Sequence, residues 1–173
     1  MFFCDLDGVL RNLISGISVA AGQSYSEEVH NSLLQWEGLV YGRKVMDWIN
    51  DIPEVLYISR PYPGAERFIS ELAKECDVFI LTNQSPNNYS AVIPWLSAWG
   101  FLPVLSGVII VSKFTQKLQL LEGKGPRFLL DDNPKMIKHL PQERLLSWKR
   151  PWNPEGLFES YNQVLSYIRR RLK

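Results

Sequence analysis

Two aspartates one residue apart, Asp5 and Asp7, close the first apolar run of the chain in the stretch FFCDLDGVL, residues 2–10. A buried carboxylate without a partner is costly, so the pair demands a cation or dedicated hydrogen-bond donors nearby. A second acidic pair, Asp131 and Asp132, follows the run FLL at 128–130. Thr82 and Asn83 follow VFIL at 78–81, and Ser112 and Lys113 follow VIIV at 108–111. If all these positions share one edge, four carboxylates meet a hydroxyl and a lysine. Carboxylates gathered in this way repel one another unless a hard divalent cation lies among them, and all-oxygen ligation by few protein groups suits Mg²⁺. The hydroxyl and the lysine suit an anion such as phosphate.

Such a meeting requires a parallel sheet. The runs are short and apolar on both faces, as interior strands covered by helices must be, and LLSW at 145–148 adds a weaker one. Between them the spacing predicts helices. One spans 63–74, with Phe68, Ile69 and Leu72 on one side, and another spans 155–172, with Leu157, Tyr161, Val164, Leu165 and Ile168. Strand and helix in alternation mean an α/β fold, whose ligands sit at the carboxyl edge of the strands. One interval breaks the rhythm. Roughly fifty residues separate the first strand from the helix near Gly64, too many for a simple crossover. Within it, Ser24 and Glu27 form a capping box, and Val29, Leu33, Trp36 and Val40 follow at helical spacing. Residues 12–60 are therefore expected to form a small, mostly helical cap inserted into a core of residues 1–11 and 61–173.

Composition excludes several classes of function. With 173 residues, 46% of them hydrophobic, the chain can bury one well-packed core. Nineteen Lys and Arg against eighteen Asp and Glu leave a net charge of +1, so no bulk field favours nucleic acid or an acidic membrane. Cys4 and Cys76 lack CxxC spacing and read as reduced thiols. Met1 leads directly into the first strand, and no apolar run approaches a membrane span, so the expectation is a cytoplasmic protein without a leader or a membrane partner. His30 and His139 have no companions at ligand spacing and read as packing residues. Arg169, Arg170, Arg171 and Lys173 complement the dipole of the last helix.

DLDGV, LTNQ, a lysine after VIIVS and LLDDNP, in that order, resemble the four motifs of the haloacid dehalogenase (HAD) superfamily of phosphohydrolases over nearly the whole chain. The resemblance implies a Rossmann-like core with a cap after the first motif. The small cap, the phrase PGAERFISELAKECDVFILT and the late RPWN resemble the 5′(3′)-deoxyribonucleotidase-like branch. It further implies roles. Asp5 is the nucleophile that forms an aspartyl-phosphate, and Asp7 is the acid and base whose backbone carbonyl also binds metal. The Thr82 hydroxyl and the Asn83 backbone N–H hold phosphate oxygens, and a lysine neutralises charge on Asp5 and the phosphoryl group. Lys113 is preferred for that lysine over Lys117 and Lys124, because it directly follows its strand. Asp132 is the main metal ligand with Asp131 beside it, so that Asp5, Asp7, Asp131 and Asp132 surround Mg²⁺.

The activity so implied is Mg²⁺-dependent hydrolysis of a small phosphate ester, a 5′- or 3′-nucleoside monophosphate. Trp36, Tyr41 and Trp48 of the cap are candidates to stack on its base, against the alternative that they form the cap's own core. Other readings are a phosphatase of another small phosphate, or of a polynucleotide 3′-phosphate end, the one route by which nucleic acid enters. A non-catalytic phosphate- or partner-binding module on the same fold is a further alternative. Asp7 speaks against that last reading, since binding needs no acid two residues after a nucleophile. The sequence carries no sign of oligomeric state.

Overall fold

The computed structural model describes residues 1–33, 38–124 and 127–172. The chain opens with β1 (Phe2–Cys4), β2 (Arg11–Asn12), α1 (Leu13–Ala20) and α2 (Glu27–Asn31). It continues through β3 (Leu39–Val40), β4 (Arg43–Lys44), α3 (Val45–Asp51), α4 (Glu54–Ile58) and β5 (Arg60–Pro61). Then come α5 (Ala65–Ala73), β6 (Val78–Asn83), α6 (Tyr89–Ala98), β7 (Gly107–Val111) and α7 (Phe114–Lys124). The last elements are β8 (Phe128–Asp131), β9 (Leu145–Ser147) and α8 (Tyr161–Leu172). Among the described residues no helix is long and apolar enough to cross a membrane.

Five strands form one parallel sheet in the order β7-β6-β1-β8-β9. The three-residue run at the start of the chain takes the middle. Phe2 lies opposite Val78 on one side and Phe128 on the other, and Cys4 lies opposite Ile80 and Leu130. Side chains alternate between faces along a strand. Phe2 and Cys4 accordingly join a cluster with Phe68 and Ile69 of α5, Trp95 of α6 and Ile168 of α8, whereas Phe3 joins Leu121 of α7 on the opposite face. Burial on both faces explains why these runs carry no polar alternation. It also fixes where the polar residues go: whatever follows β1, β6 and β8 emerges side by side at one edge.

The segment between β2 and β5 has structure of its own. β2 and β5 pair antiparallel, with Asn12 opposite Arg60, so the chain leaves and re-enters at one neck. Leu13, Ile14 and Ile17 of α1 pack with Val45, Trp48 and Ile49 of α3 and with Val55 and Leu56 of α4. The Asn12 side chain caps α1 by accepting from the Ser15 N–H at 3.3 Å.

Three expectations need correcting in detail. The cap of α2 is Ser26, whose Oγ accepts from the Val29 N–H, and not Ser24. The helix ends at Asn31, and Val40 belongs to a hairpin that turns at Tyr41 and Gly42, both at positive φ (51° and 76°), a backbone no helix can contain. The final helix starts at Tyr161, six residues later than its apolar spacing predicts. Phe158 exchanges backbone hydrogen bonds with Ser147 and Lys149 and so extends the chain beside the end of β9.

Gly16 sets the approach of α1 to α4. A Cβ there would lie 2.4 Å from the Val55 carbonyl oxygen and 2.3 Å from Ser59 Oγ. Gly16→Ala is expected to push the two helices apart and destabilise the protein by about 1–3 kcal/mol in urea unfolding, despite the better helix propensity of alanine. An unchanged or higher midpoint would contradict this packing.

Candidate active site

Asp5 is the first residue beyond β1. Its backbone N–H donates to the Leu130 carbonyl at 2.9 Å, and its Oδ1 accepts from the Leu6 N–H at 2.9 Å. Asp131 ends β8 and Asp132 follows it, both buried, with Asp131 Oδ1 accepting from the Asn133 N–H at 2.8 Å. Ligand oxygens of Asp5, Asp131 and Asp132 all lie within 4.8 Å of one another. One lysine reaches into this group: Lys117 Nζ stands 3.1 Å from Asp5 Oδ1 and 2.7 Å from Asp131 Oδ2, with its side chain 3% exposed.

The electrostatics follow from burial. Loss of water raises the Asp5 carboxyl to about 7, reinforced by Asp131 and Asp7 and opposed by Lys117. Burial also holds Asp132 well above the ordinary range, helped by Asp5 and Asp131 and opposed by a hydrogen bond from Trp152 and the charge of Arg150. Burial alone would lower Lys117, but Asp131 and Asp5 overcome it and lift the ammonium above its usual value. Three carboxylates against one ammonium leave the cluster short of positive charge. Its donor set, all hard oxygens at one strand edge, fits a divalent cation such as Mg²⁺.

Lys113, the lysine preferred from the sequence, is not in this cluster. It lies exposed just before α7, where its backbone N–H, like that of Ser112, donates to Gln116 Oε1. The reason is helical geometry. Following a strand directly places a residue at the edge, but one turn of α7 brings Lys117 back over the sheet on the face shared by Phe114, Leu118 and Leu121. A lysine at that spacing on an apolar stripe was the available signal.

Asp7 is held differently. Arg11 forms a two-point ion pair with it, Nε to Oδ1 at 2.6 Å and Nη2 to Oδ2 at 3.0 Å, and the Gln84 amide donates to the same Oδ2. Gln84 also donates to Thr82 Oγ1 at 3.2 Å, so Thr82 at the end of β6 is tied to Asp7. Arg11 is 0% exposed, donates to the Leu56 carbonyl of α4 and stands 5.4 Å over the Trp95 ring. Sequence reasoning passed over both Arg11 and Gln84. An arginine directly after the apolar pair Val9–Leu10, four residues after Asp7, was the clue.

Gly8 and Trp152 complete the setting. Gly8 adopts φ +77°, and a Cβ there would lie 1.9 Å from Asp132 Oδ2. No other residue fits that approach. Trp152 Nε1 donates to the same oxygen at 2.7 Å. His30, expected to be a packing residue, is one: buried, its Nε2 3.1 Å from the Tyr62 hydroxyl and its ring edge-on to Trp152 at 5.6 Å. Burial lowers its pKa from 6.5.

Of the other expected residues, Asn83 ends β6 and is exposed. Trp48 is in the core of the inserted segment, with its Nε1 donating to the Val40 carbonyl at 2.8 Å, so it cannot offer a face to a base. Tyr41 is exposed at the hairpin tip and hydrogen-bonds Ser18. Trp36 lies outside the described residues.

No family model matches the sequence, and comparison with curated proteins finds no match either. Solved structures do match. A haloacid dehalogenase-like family hydrolase from Streptococcus pneumoniae is similar at a TM-score of 0.63 and 14% identity, over 96% of this chain and 97% of that one. The HAD-hydrolase YfnB from Bacillus subtilis, bound to magnesium, is similar at 0.59 and 15% identity, over 96% and 97%. The L-2-haloacid dehalogenase from Xanthobacter autotrophicus with chloropropionic acid covalently bound is similar at 0.53 and 15% identity, over 86% and 76%. At these identities the likeness establishes a shared fold, the HAD-like α/β fold.

The two lysines separate cleanly by experiment. Lys117→Met leaves Asp5 and Asp131 buried without their cation, and is expected to destabilise the metal-free protein by about 3–5 kcal/mol in urea unfolding. Lys113→Met, at an exposed site, is expected to change it by less than about 0.5 kcal/mol. Equal effects would contradict the assignment.

Proposed function

We propose that the protein is a Mg²⁺-dependent phosphomonoester hydrolase that works through an aspartyl-phosphate on Asp5. The observation that carries the reading is the position of Asp5: it leaves the central strand beside a buried lysine and within reach of two further carboxylates. That combination serves a nucleophile that must attack an anion.

Asp132 and Asp5, with Asp131 beside them and the Asp7 carbonyl, would hold Mg²⁺, and the bound ion would supply positive charge to the phosphoryl oxygens. The rest falls to side chains. Asp5 attacks phosphorus with one carboxylate oxygen, and the ester oxygen departs. Lys117 holds Asp5 and neutralises part of the charge that the two anions bring together. The Thr82 hydroxyl and the Asn83 backbone N–H bind phosphoryl oxygens. Asp7 donates the proton that the leaving oxygen needs and then takes one from the water that hydrolyses the phosphoenzyme. Arg11 and Gln84 engage both oxygens of Asp7 as acceptors, so Asp7 must exchange one of these contacts for the substrate before it can carry a proton.

The substrate we propose is a nucleoside monophosphate, with the segment between β2 and β5 acting as the cap over the phosphate site. Trp48 is committed to the core of that segment, so base stacking falls to Tyr41 among the described candidates. The support for a nucleotide is the sequence phrase around residues 63–82 and RPWN. The support for phosphate chemistry is the lysine and the acidic cluster.

A panel of 5′- and 3′-nucleoside monophosphates, sugar phosphates, 3′-phosphorylated oligonucleotides and 2-chloropropionate tests this. The expected result is phosphate release with Mg²⁺, greatest from nucleotides, abolished by chelator and lowered at least about a thousandfold by Asp5→Asn. Halide release from 2-chloropropionate without phosphate release from any ester would overturn it.

A further inference from the structure

A cavity of about 390 Å³ lies between residues 62–64, the start of α5, the chain just past β9 and the start of α8. Its walls include Tyr62, Arg67, Phe68, Trp148, Arg150 and Tyr161. None of Asp5, Asp7, Thr82, Lys117, Asp131 and Asp132 lines it. Two hydrogen-bond donors on these wall residues are buried and have no acceptor among the described residues: the indole Nε1 of Trp148 and Nη2 of Arg150. Trp148 is 2% exposed, so bulk water does not serve its donor freely. Buried donors are nearly always paired, and an orphan of this kind points to a missing acceptor.

The surroundings say which kind. Arg150 lies against Tyr62, its Cζ 3.8 Å from the ring centroid, and stands 5.1 Å over the Trp148 ring. The guanidinium is therefore held in place before any ligand arrives. Arg67 adds a second, exposed guanidinium, while the one carboxylate in the wall, Glu159, is already paired with Lys149 at 3.2 Å. Tyr161 stacks on Phe68 at 4.6 Å and on Trp148 at 4.9 Å, which makes the remaining wall aromatic and rigid. A pocket of this size with apolar walls and a few fixed polar groups suits a small organic molecule, and a guanidinium fork with an indole N–H suits an oxyanion.

We propose that this cavity is a second binding site, for a small ligand that carries a carboxylate or phosphate on an apolar body. It goes beyond the hydrolase reading and does not depend on it. It adjoins the candidate active site through its walls. Arg150 Nε donates to the Gly8 carbonyl at 2.6 Å, and the Tyr161 hydroxyl donates to the Val9 carbonyl at 2.6 Å. An occupant thus touches the side chains that hold the turn after Asp7.

The test is a titration of the ¹⁵N-labelled full chain without Mg²⁺, following the indole N–H signals by NMR, with Trp148→Phe to assign the Trp148 signal. The probes are inorganic phosphate and benzoate, with chloride at matched ionic strength as the control. The expected result is a saturable shift of the Trp148 signal with at least one probe, weakened roughly tenfold or more in Arg150→Lys, which keeps the charge and loses the fork. Arg67→Ala, an exposed change, should also weaken it and serves if Arg150→Lys perturbs the fold. Benzoate alone would identify a carboxylate on an apolar body, and phosphate alone a phosphoryl group. A Trp148 signal that follows only the chloride control, affinities unmoved by either arginine variant, or a shift confined to Trp152 beside Asp132 would overturn the proposal.

Discussion

The candidate site depends on one buried ion pair network, the ammonium of Lys117 between Asp5 and Asp131. Parallel strands deliver their following residues to one edge, and here they deliver carboxylates from neighbouring strands β1 and β8. Like charges in a dry setting would push these ends apart. Lys117 offsets part of that repulsion and binds α7 to both strand ends. Because the pairing is incomplete, with three carboxylates to one cation, burial still raises Asp5 and Asp132. The shortage of positive charge that a bound cation would relieve is thus built into the fold.

The remaining contacts keep that cluster in shape. Gly8 lets the chain pass so close to Asp132 Oδ2 that no side chain fits, and Trp152 donates its indole N–H to the same oxygen. Arg150 pins the Gly8 carbonyl from the far end of the sequence. Arg11 secures Asp7 while reaching α4 in the inserted segment, so the second aspartate is tied both to the sheet domain, through Gln84, and to the insertion. The two aspartates that begin the chain are therefore held by different cations: Asp5 by Lys117, Asp7 by Arg11.

Much of this was readable before any coordinates. Short apolar runs that alternate with helical patterns suit strands of a covered sheet, so β1, β6 and β8 and the residues at their ends were legible, whereas β7, expected in the interior, is a half-buried edge of the sheet. Lys117 was legible only as an alternative to Lys113, because strand adjacency favours Lys113 and the helical turn that returns Lys117 to the edge is not visible in a strand-end reading. Arg11 and Gln84 escaped because each acts by touching Asp7: Gln84 does so across 77 residues, which leaves no periodic trace, and Arg11, four residues on, does so from a buried position that its charge did not suggest. The helix expected through Val40 ends at Asn31, and Val40 pairs with Arg43 in a hairpin, since an apolar residue at helical spacing can equally face inward from a short strand. RPWN was read only as a resemblance. The structure gives it parts: Arg150 on Gly8, Trp152 on Asp132, and Asn153 Nδ2 donating to the Trp148 carbonyl at 2.9 Å.

The central claim is that Asp5, steadied by Lys117, accepts a phosphoryl group. Beryllium fluoride adds to a carboxylate as a stable mimic of an acyl phosphate, and a crystal structure of the protein grown with it and Mg²⁺ tests the claim directly. The account predicts a trifluoroberyllate on an Asp5 oxygen, with the Lys117 ammonium within hydrogen-bond distance of the adduct and Mg²⁺ against Asp132. A beryllate on another residue, or Mg²⁺ bound with Asp5 left unmodified and Lys117 turned away from it, would contradict the account.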